Sequence, residues 1–406
     1  MVDQDDMNRR VLLSLFCGMK FEGDVLAQLT EEDWASIKKM AVTHRLFPMV
    51  YWNQKDNPDI PKEFIELACS SYKKNAMRSL TLQRELLFIN DLFNKAGIKF
   101  IPLKGGYLAW FAYPQPALRV NRDIDILVPK ESIEAAYNLL TENGFVKYMP
   151  NLVEDMAQDE MHLPPLVSPL TKILIELHYY IFPQNDDINY ENGMEVMGSY
   201  ERVIEKEINN KKFSFLSPED NLLHVILHTV YQHHLNNGPI ILYDVAFLIK
   251  THSINWQLFW NLAQKGKWEL GCLLILSMVS NYFPDIEIEI SEEISSRRAS
   301  QEVLGEVEML FLTPPNGIEY TRFYKQLVTS QGGFELFKNI VGIIFPKRKY
   351  LAKWFNDDIA SSPLVWILLK YWYNLLVNKF PQYLLVNFGK EKRKDYARIK
   401  CFVDNK

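Results

Sequence analysis

The chain has 406 residues, 48 % of them apolar and 23 % charged, with a formal net charge of -5. Such a length and composition exclude wholesale disorder and leave room for two or three units with cores of their own. The mild acidity removes the basic footprint that duplex nucleic acid requires, and with it a processive polymerase.

The first hundred residues read as helical. Thr30-Glu-Glu-Asp-Trp carries a capping box, with Thr30 as the cap and Asp33 in the slot that Glu or Gln usually fills. A long helix is expected over residues 62–96, with Leu80, Leu87 and Phe88 as its apolar repeat and Asn94 and Gly97 at its end. Phe100-Ile-Pro-Leu103 reads as a short strand running into a glycine turn, Lys104-Gly105-Gly106, that opens a helix.

A second strand follows in Asp123-Ile-Asp-Ile-Leu-Val128, then a helix from Pro129 to Asn143-Gly144 and a possible strand over Phe145 to Tyr148. After a Pro-rich connection (Leu163 to Pro169) comes another strong strand, Lys172-Ile-Leu-Ile-Glu-Leu-His-Tyr179. From Ser217-Pro218 onward the pattern is helical through residue 282, with Ser217 as cap and Pro218 in the first turn. The remainder is mostly helical, broken at Pro284, Pro314-Pro315 and Pro346.

The expected organisation is a helical region over residues 1–96, a small mixed α/β unit over 97–216, a helical domain over 217–300 and a C-terminal helical region over 301–406. The apolar, aromatic stretch from Trp366 to Phe380 carries Lys370, Asn374, Asn378 and Lys379, which argue against a membrane span. Packing against the helical domains or a partner subunit is expected there. Basic clusters at residues 347–349 and 390–394 keep a peripheral membrane contact through the C-terminal helices compatible with the pattern.

Cys17, Cys69, Cys272 and Cys401 are scattered and form no Cys-x-x-Cys pair, which points to reduced thiols. The opening residues lack the basic region of a signal peptide, and a cytoplasmic location is the expectation.

The chemistry concentrates in the two strong strands. Strand residues alternate between faces, so Asp123 and Asp125 share one face while Ile124 and Ile126 point into the opposite layer. Carboxylates in an Ile/Leu/Val strand are costly to desolvate unless something compensates them. On the later strand Glu176 and His178 share a face, and Glu176 supplies a third acid.

Three carboxylates can hold two Mg²⁺ ions, or Mn²⁺, one carrying a triphosphate and one activating an acceptor hydroxyl. Glu176 would complete this site or take the acceptor's proton. Gly105 and Gly106 would let backbone N–H groups approach a phosphate, and Lys104, Arg119 and Arg122 lie close enough in sequence to neutralise it. His178 would orient Glu176 or the acceptor. His224 and His228 stand at i and i+4, but no acid completes a His-Glu-x-x-His pattern, so packing histidines are expected rather than a zinc site.

This combination resembles the nucleotidyltransferase superfamily with a DNA polymerase beta-like palm. More narrowly, it is similar to a bacterial group of nucleotidyltransferase family proteins whose signature reads Leu-Lys-Gly, then Arg, then Asp-Ile-Asp-Leu-Leu-Val. Asp33-Trp34, residues 41–45, Glu176-Leu-His178 and the Ser217 to His228 helix fit the same group.

The resemblance covers roughly residues 30–270. It implies an α+β fold in which the palm, residues 97–216, is flanked by helical regions. It also implies metal ligation by Asp123, Asp125 and Glu176, with triphosphate contact at the Gly105-Gly106 turn. The expected activity is transfer of NMP from an NTP, ATP foremost, to a hydroxyl of an unidentified small molecule or protein. Gly106 stands where the superfamily places a phosphate-binding serine, and the alternative is a non-catalytic protein that keeps the palm to sense a nucleotide or bind a partner.

Overall fold

The computed structural model describes residues 4–21, 24–148, 161–181, 200–313 and 364–374, with isolated positions at 337, 341, 345, 398, 399 and 401–403. Four helices come first: α1 (Gln4–Cys17), α2 (Glu31–Thr43), α3 (Phe47–Gln54) and the 34-residue α4 (Lys62–Lys95). The capping box at α2 forms as expected: the Asp33 N–H donates to Thr30 Oγ1 at 3.2 Å and the Thr30 N–H to Asp33 Oδ2 at 3.0 Å.

Helix α4 forms where the pattern placed it, but of the expected repeat only Leu87 packs against the core. Leu80 and Phe88 are exposed, whereas Asn75, Ser79, Leu82, Leu86, Ile89 and Phe93 are buried. The buried stripe keeps helical spacing but includes polar side chains that hold a neighbouring loop. Asn75 Nδ2 donates to the Ala117 carbonyl at 2.6 Å, and Ser79 Oγ to that of Pro116 at 3.1 Å. An apolar count finds Leu82, Leu86, Ile89 and Phe93 on this face but passes over its polar members.

A five-stranded mixed sheet sits beside α4. Its strands are β1 (Ile101–Pro102), β2 (Asp123–Leu127), β3 (Val146–Lys147), β4 (Leu166–Val167) and β5 (Leu174–His178), in the spatial order β1-β2-β5-β4-β3. β2 runs antiparallel to β1 and parallel to β5, in a register that sets Asp125 against Glu176. Helix α5 (Gly105–Phe111) follows β1, and α6 (Ile133–Glu142) lies in the crossover from β2 towards β5.

β4 lies inside the stretch read as a plain connection. A two-stranded hairpin, β6 (Ile204–Ile208) and β7 (Lys211–Phe215), was also not foreseen. Its signal was present: Asn209 and Asn210 both take positive φ, 50° and 61°, as a two-residue hairpin turn demands.

The helices then resume with α7 (Pro218–Leu227), buried from Glu219 onward, and a π-helical turn (His228–Gln232). Next come α8 (Ile240–Thr251), α9 (Trp256–Gly266), α10 (Glu269–Tyr282), the short α11 (Glu292–Ser295) and α12 (Gln301–Phe311). One continuous apolar cluster joins residues of α1 through α12 with the inner face of the sheet. The expectation of an α+β fold, with a small mixed sheet flanked by helical regions, holds.

Helix α13 (Leu364–Asn374) buries Ile367 and Tyr371 and exposes Val365, Trp366, Leu369 and Tyr373. Among the described residues no helix is long and apolar enough to cross a membrane. The breaks at Pro314-Pro315 and Pro346, the basic clusters and the second half of the aromatic stretch lie outside the described residues.

Candidate active site

Asp125 lies near the centre of β2, 6 % exposed, with its carboxylate turned towards the chain's own cations. Its Oδ1 accepts from Lys104 Nζ at 3.2 Å and from His178 Nε2 at 2.9 Å. His178 Nε2 also lies 3.6 Å from Glu176 Oε2. Asp125, Glu176 and His178 each offer one ligand atom, and those atoms lie within 4.8 Å of one another. Two carboxylates and an imidazole so disposed suit a divalent cation, so the residues present fit the metal that the sequence implies.

The parallel pairing of β2 and β5 produces this cluster. Asp125 and Glu176 occupy one rung, and His178 follows two residues on along the same face. The trio that assembles therefore differs from the expected one, since His178 stands inside the 4.8 Å cluster and Asp123 does not. Asp123 remains an electrostatic neighbour. Burial and the charge of Asp125 push its carboxyl above the ordinary carboxylate range.

Asp125 is held the opposite way. Its burial would raise it, but Lys104 and the His178 hydrogen bond keep it well below the usual value. The two acids of the Asp-x-Asp pair are thus split in proton affinity. Burial also opposes the ionised Glu176 carboxylate, and the His178 hydrogen bond offsets it, leaving Glu176 below its ordinary value. For His178, burial disfavours charge but Asp125 and Glu176 raise it. Its buried Nδ1 has no hydrogen-bond partner among the described residues, so a proton on Nε2, aimed at the carboxylates, is the arrangement that leaves no N–H unpaired.

The glycine turn is sterically tight. A Cβ on Gly105 would overlap Asn121 Oδ1 and come within 2.6 Å of Arg119 Nη1, and one on Gly106 would lie 2.8 Å from Pro102 Cβ. The Gly106 N–H already donates to the Leu103 carbonyl at 2.9 Å. Lys104 has φ 47° and ψ -113°, a conformation that side-chain-bearing residues rarely adopt.

Arg119 lies beneath the turn. Its Nε and Nη2 fork onto Asp244 of α8 at 2.7 Å each, and Nη1 bonds Asn121 Oδ1. Tyr113 completes that buried group, its hydroxyl donating to Asp244 Oδ1 at 2.7 Å. The guanidinium is thus committed to holding α8 and the Asn121 loop. Arg122 is exposed, and its carbonyl accepts from Arg78. A crevice between α4 and α5, lined by Leu82, Leu86, Ala109 and Trp110 and reaching Asp123, has room for about one water. It is too narrow for a nucleobase.

Among the other histidines, the sequence offers an expectation only for His224 and His228, as packing groups. The His162 ring lies tilted against that of His178, with centroids 5.2 Å apart, and the two residues form an isolated β-bridge. His228 Nε2 on the π-helical turn and His233 Nε2 just past its end are 3.1 Å apart. His224, His228 and His233 are kept neutral first by burial and then by the Lys104 charge, His224 down to about 3 and His233 to about 4. A π-helical turn is rare and concentrates at functional positions, but nothing in the His-x-x-x-His spacing announces it.

No curated protein and no solved structure matches the chain. A family model described as "Uncharacterised nucleotidyltransferase" matches residues 30–284, more than half of the sequence. It spans α2 to the C-terminal end of α10 and includes the glycine turn, the Asp-x-Asp strand and the Glu176-Leu-His178 strand. The chain belongs to this nucleotidyltransferase family.

Proposed function

We propose that the protein transfers a nucleoside monophosphate, AMP foremost, from an NTP to a hydroxyl of a small molecule or protein, releasing pyrophosphate. The observation that carries this reading is the rung on which Asp125 faces Glu176, with His178 beside them, in a chain of this family. Asp125 and Glu176 would hold a divalent cation, and Asp123 would join them once its proton is displaced. Mg²⁺ or Mn²⁺ bound there would neutralise phosphate charge and favour an in-line displacement.

The chain's residues act by placement. Lys104 and Arg122 meet phosphate charge from the turn side, and the missing Cβ of Gly105 lets Asn121 and Arg119 close against the turn. Arg119 fixes Asn121 and thereby the turn. Glu176, kept ionised beside His178, is the candidate acceptor of the hydroxyl proton. Most of the barrier lowering would come from orientation and fixed charge.

A second reading, nucleotide sensing without turnover, draws on Gly106, which offers no hydroxyl and whose N–H is already bonded to Leu103. Calorimetric titration with a non-hydrolysable ATP analogue, with and without Mg²⁺, tests both. Metal-dependent binding that disappears in Asp123→Ala/Asp125→Ala supports the site. Label transferred from α-phosphate-labelled ATP to a small-molecule or protein fraction supports the enzyme. Binding without transfer supports the sensor, and no binding of ATP, GTP, CTP or UTP analogues to folded protein overturns both.

A further inference from the structure

Lys104 brings together three observations that the reading above leaves unconnected. Its ammonium lies 3.2 Å from Asp125 Oδ1, with the side chain 16 % exposed, so the central carboxylate of the cation site already holds a cation of the chain's own. The same oxygen also accepts from His178. The backbone at Lys104 sits at φ 47°, where glycine would be the least strained residue, yet a lysine occupies it.

That backbone is pinned on both sides. The Leu103 N–H donates to the Asp125 carbonyl at 2.9 Å, and the Lys104 carbonyl accepts from Tyr107 at 3.1 Å and Leu108 at 2.8 Å. The next residue, Gly105, has no space for even a methyl group. What can move is the four-carbon stem, which carries a compact point charge on flexible bonds.

A divalent cation on Asp125 and Glu176 would meet the Lys104 ammonium at close range, and like charges at that distance exclude one another. A triphosphate arriving at the turn offers the ammonium a new partner. We propose that Lys104 is a resident counter-ion which the metal must displace, so that metal and nucleotide bind as a coupled pair and the free protein resists metal loading. This rests on the nucleotidyl-transfer reading and deepens it. By linkage the coupling is reciprocal: the factor by which nucleotide tightens metal binding equals that by which metal tightens nucleotide binding.

The test is Mn²⁺ binding to the full chain, read from the electron paramagnetic resonance of free Mn²⁺, with and without a non-hydrolysable ATP analogue. Wild-type protein is expected to bind Mn²⁺ roughly tenfold more tightly in the presence of the analogue. Lys104→Met is expected to bind Mn²⁺ alone roughly tenfold more tightly than wild type, with most of the coupling lost. Lys104→Gly removes the same charge while relaxing the backbone, so it keeps the test valid if the methionine variant folds poorly. It should reproduce the gain.

Mn²⁺ affinity that is unchanged or weaker in both folded variants would overturn the displacement. Coupling that survives removal of the ammonium would overturn it as well. The nucleotide reading fails separately, if wild type binds Mn²⁺ but no nucleotide. The response of Mn²⁺ alone to Lys104→Met then still decides whether the lysine is a counter-ion.

Discussion

Arg119 and Asp244 are joined by two parallel hydrogen bonds of 2.7 Å, across 125 residues of sequence and with both side chains buried. The pair ties the loop before the Asp-x-Asp strand to helix α8. Removing one partner leaves a buried charge without compensation, which costs about 3–5 kcal/mol. Asp244→Asn and Arg119→Met should each lower the urea midpoint strongly. Arg119→Met/Asp244→Leu should recover much of the loss, because neither charge then remains. Additive losses in the double variant would contradict the ion-pair account.

Gly105→Ala should damage the site more than its small size suggests. The added methyl overlaps Asn121 Oδ1, so either the Asn121 loop or the turn must shift. Overpacking of this kind costs about 1–3 kcal/mol. Calorimetric Mn²⁺ titration alongside thermal melting should show weakened metal binding in protein that still folds. Gly305→Ala, inside α12 with nothing within 4 Å of the added carbon, is the control: it should leave Mn²⁺ binding unchanged and raise rather than lower the melting temperature.

Stability should fall as the pH drops from about 6.5 towards 5. His224 and His233 are neutral in the folded chain down to about 3 and about 4. The unfolded chain binds protons from about 6.5 downward, which the native state refuses, and each such histidine removes about 1.4 kcal/mol per pH unit. Asp123 and His178 work in the opposite direction, because their raised values favour the folded state at low pH and that contribution fades as pH rises, but the buried neutral histidines outnumber them. Melting temperature plotted against pH should therefore slope downward on acidification. The slope, rather than the absolute melting temperature, should flatten in His224→Asn.

His178→Gln should weaken Mn²⁺ affinity by about 10–100-fold, as expected when a ligand or the group orienting a ligand is lost. His178→Asn, whose shorter amide cannot reach as far, should be worse. Equal affinity in all three chains would remove His178 from the site.

Much of the site was legible from residue type and strand alternation. The apolar context of Asp123-Ile-Asp-Ile marked a strand, and the period of two put both acids on one face. Alternation likewise put Glu176 and His178 together. Which of the four side chains converge was not legible, because that depends on strand register. Pairing Asp125 with Glu176, rather than Asp123 with Glu176, is set by the crossover between them.

Arg119 read as a phosphate contact because sequence proximity carries no information about Asp244 on a distant helix. The exposure of Leu80 and Phe88 on α4 has a related reason. Its buried face contains Asn75 and Ser79, polar residues whose partners are loop carbonyls that no periodicity records. By contrast, caps at Thr30 and Ser217 were readable because their partners lie three residues away.

The rung shared by Asp125 and Glu176 has a consequence for how this protein could be dissected. The two carboxylates meet only after fifty-odd residues of crossover have closed, and Lys104 joins them from a third strand's end. No contiguous peptide of a dozen residues can hold both acids in register, so cation affinity should be absent from fragments that stop before β5. Affinity for Mn²⁺ then serves as a sensor of long-range assembly. During refolding it should appear together with closure of the parallel pair, a slow kind of contact, and later than the local helices.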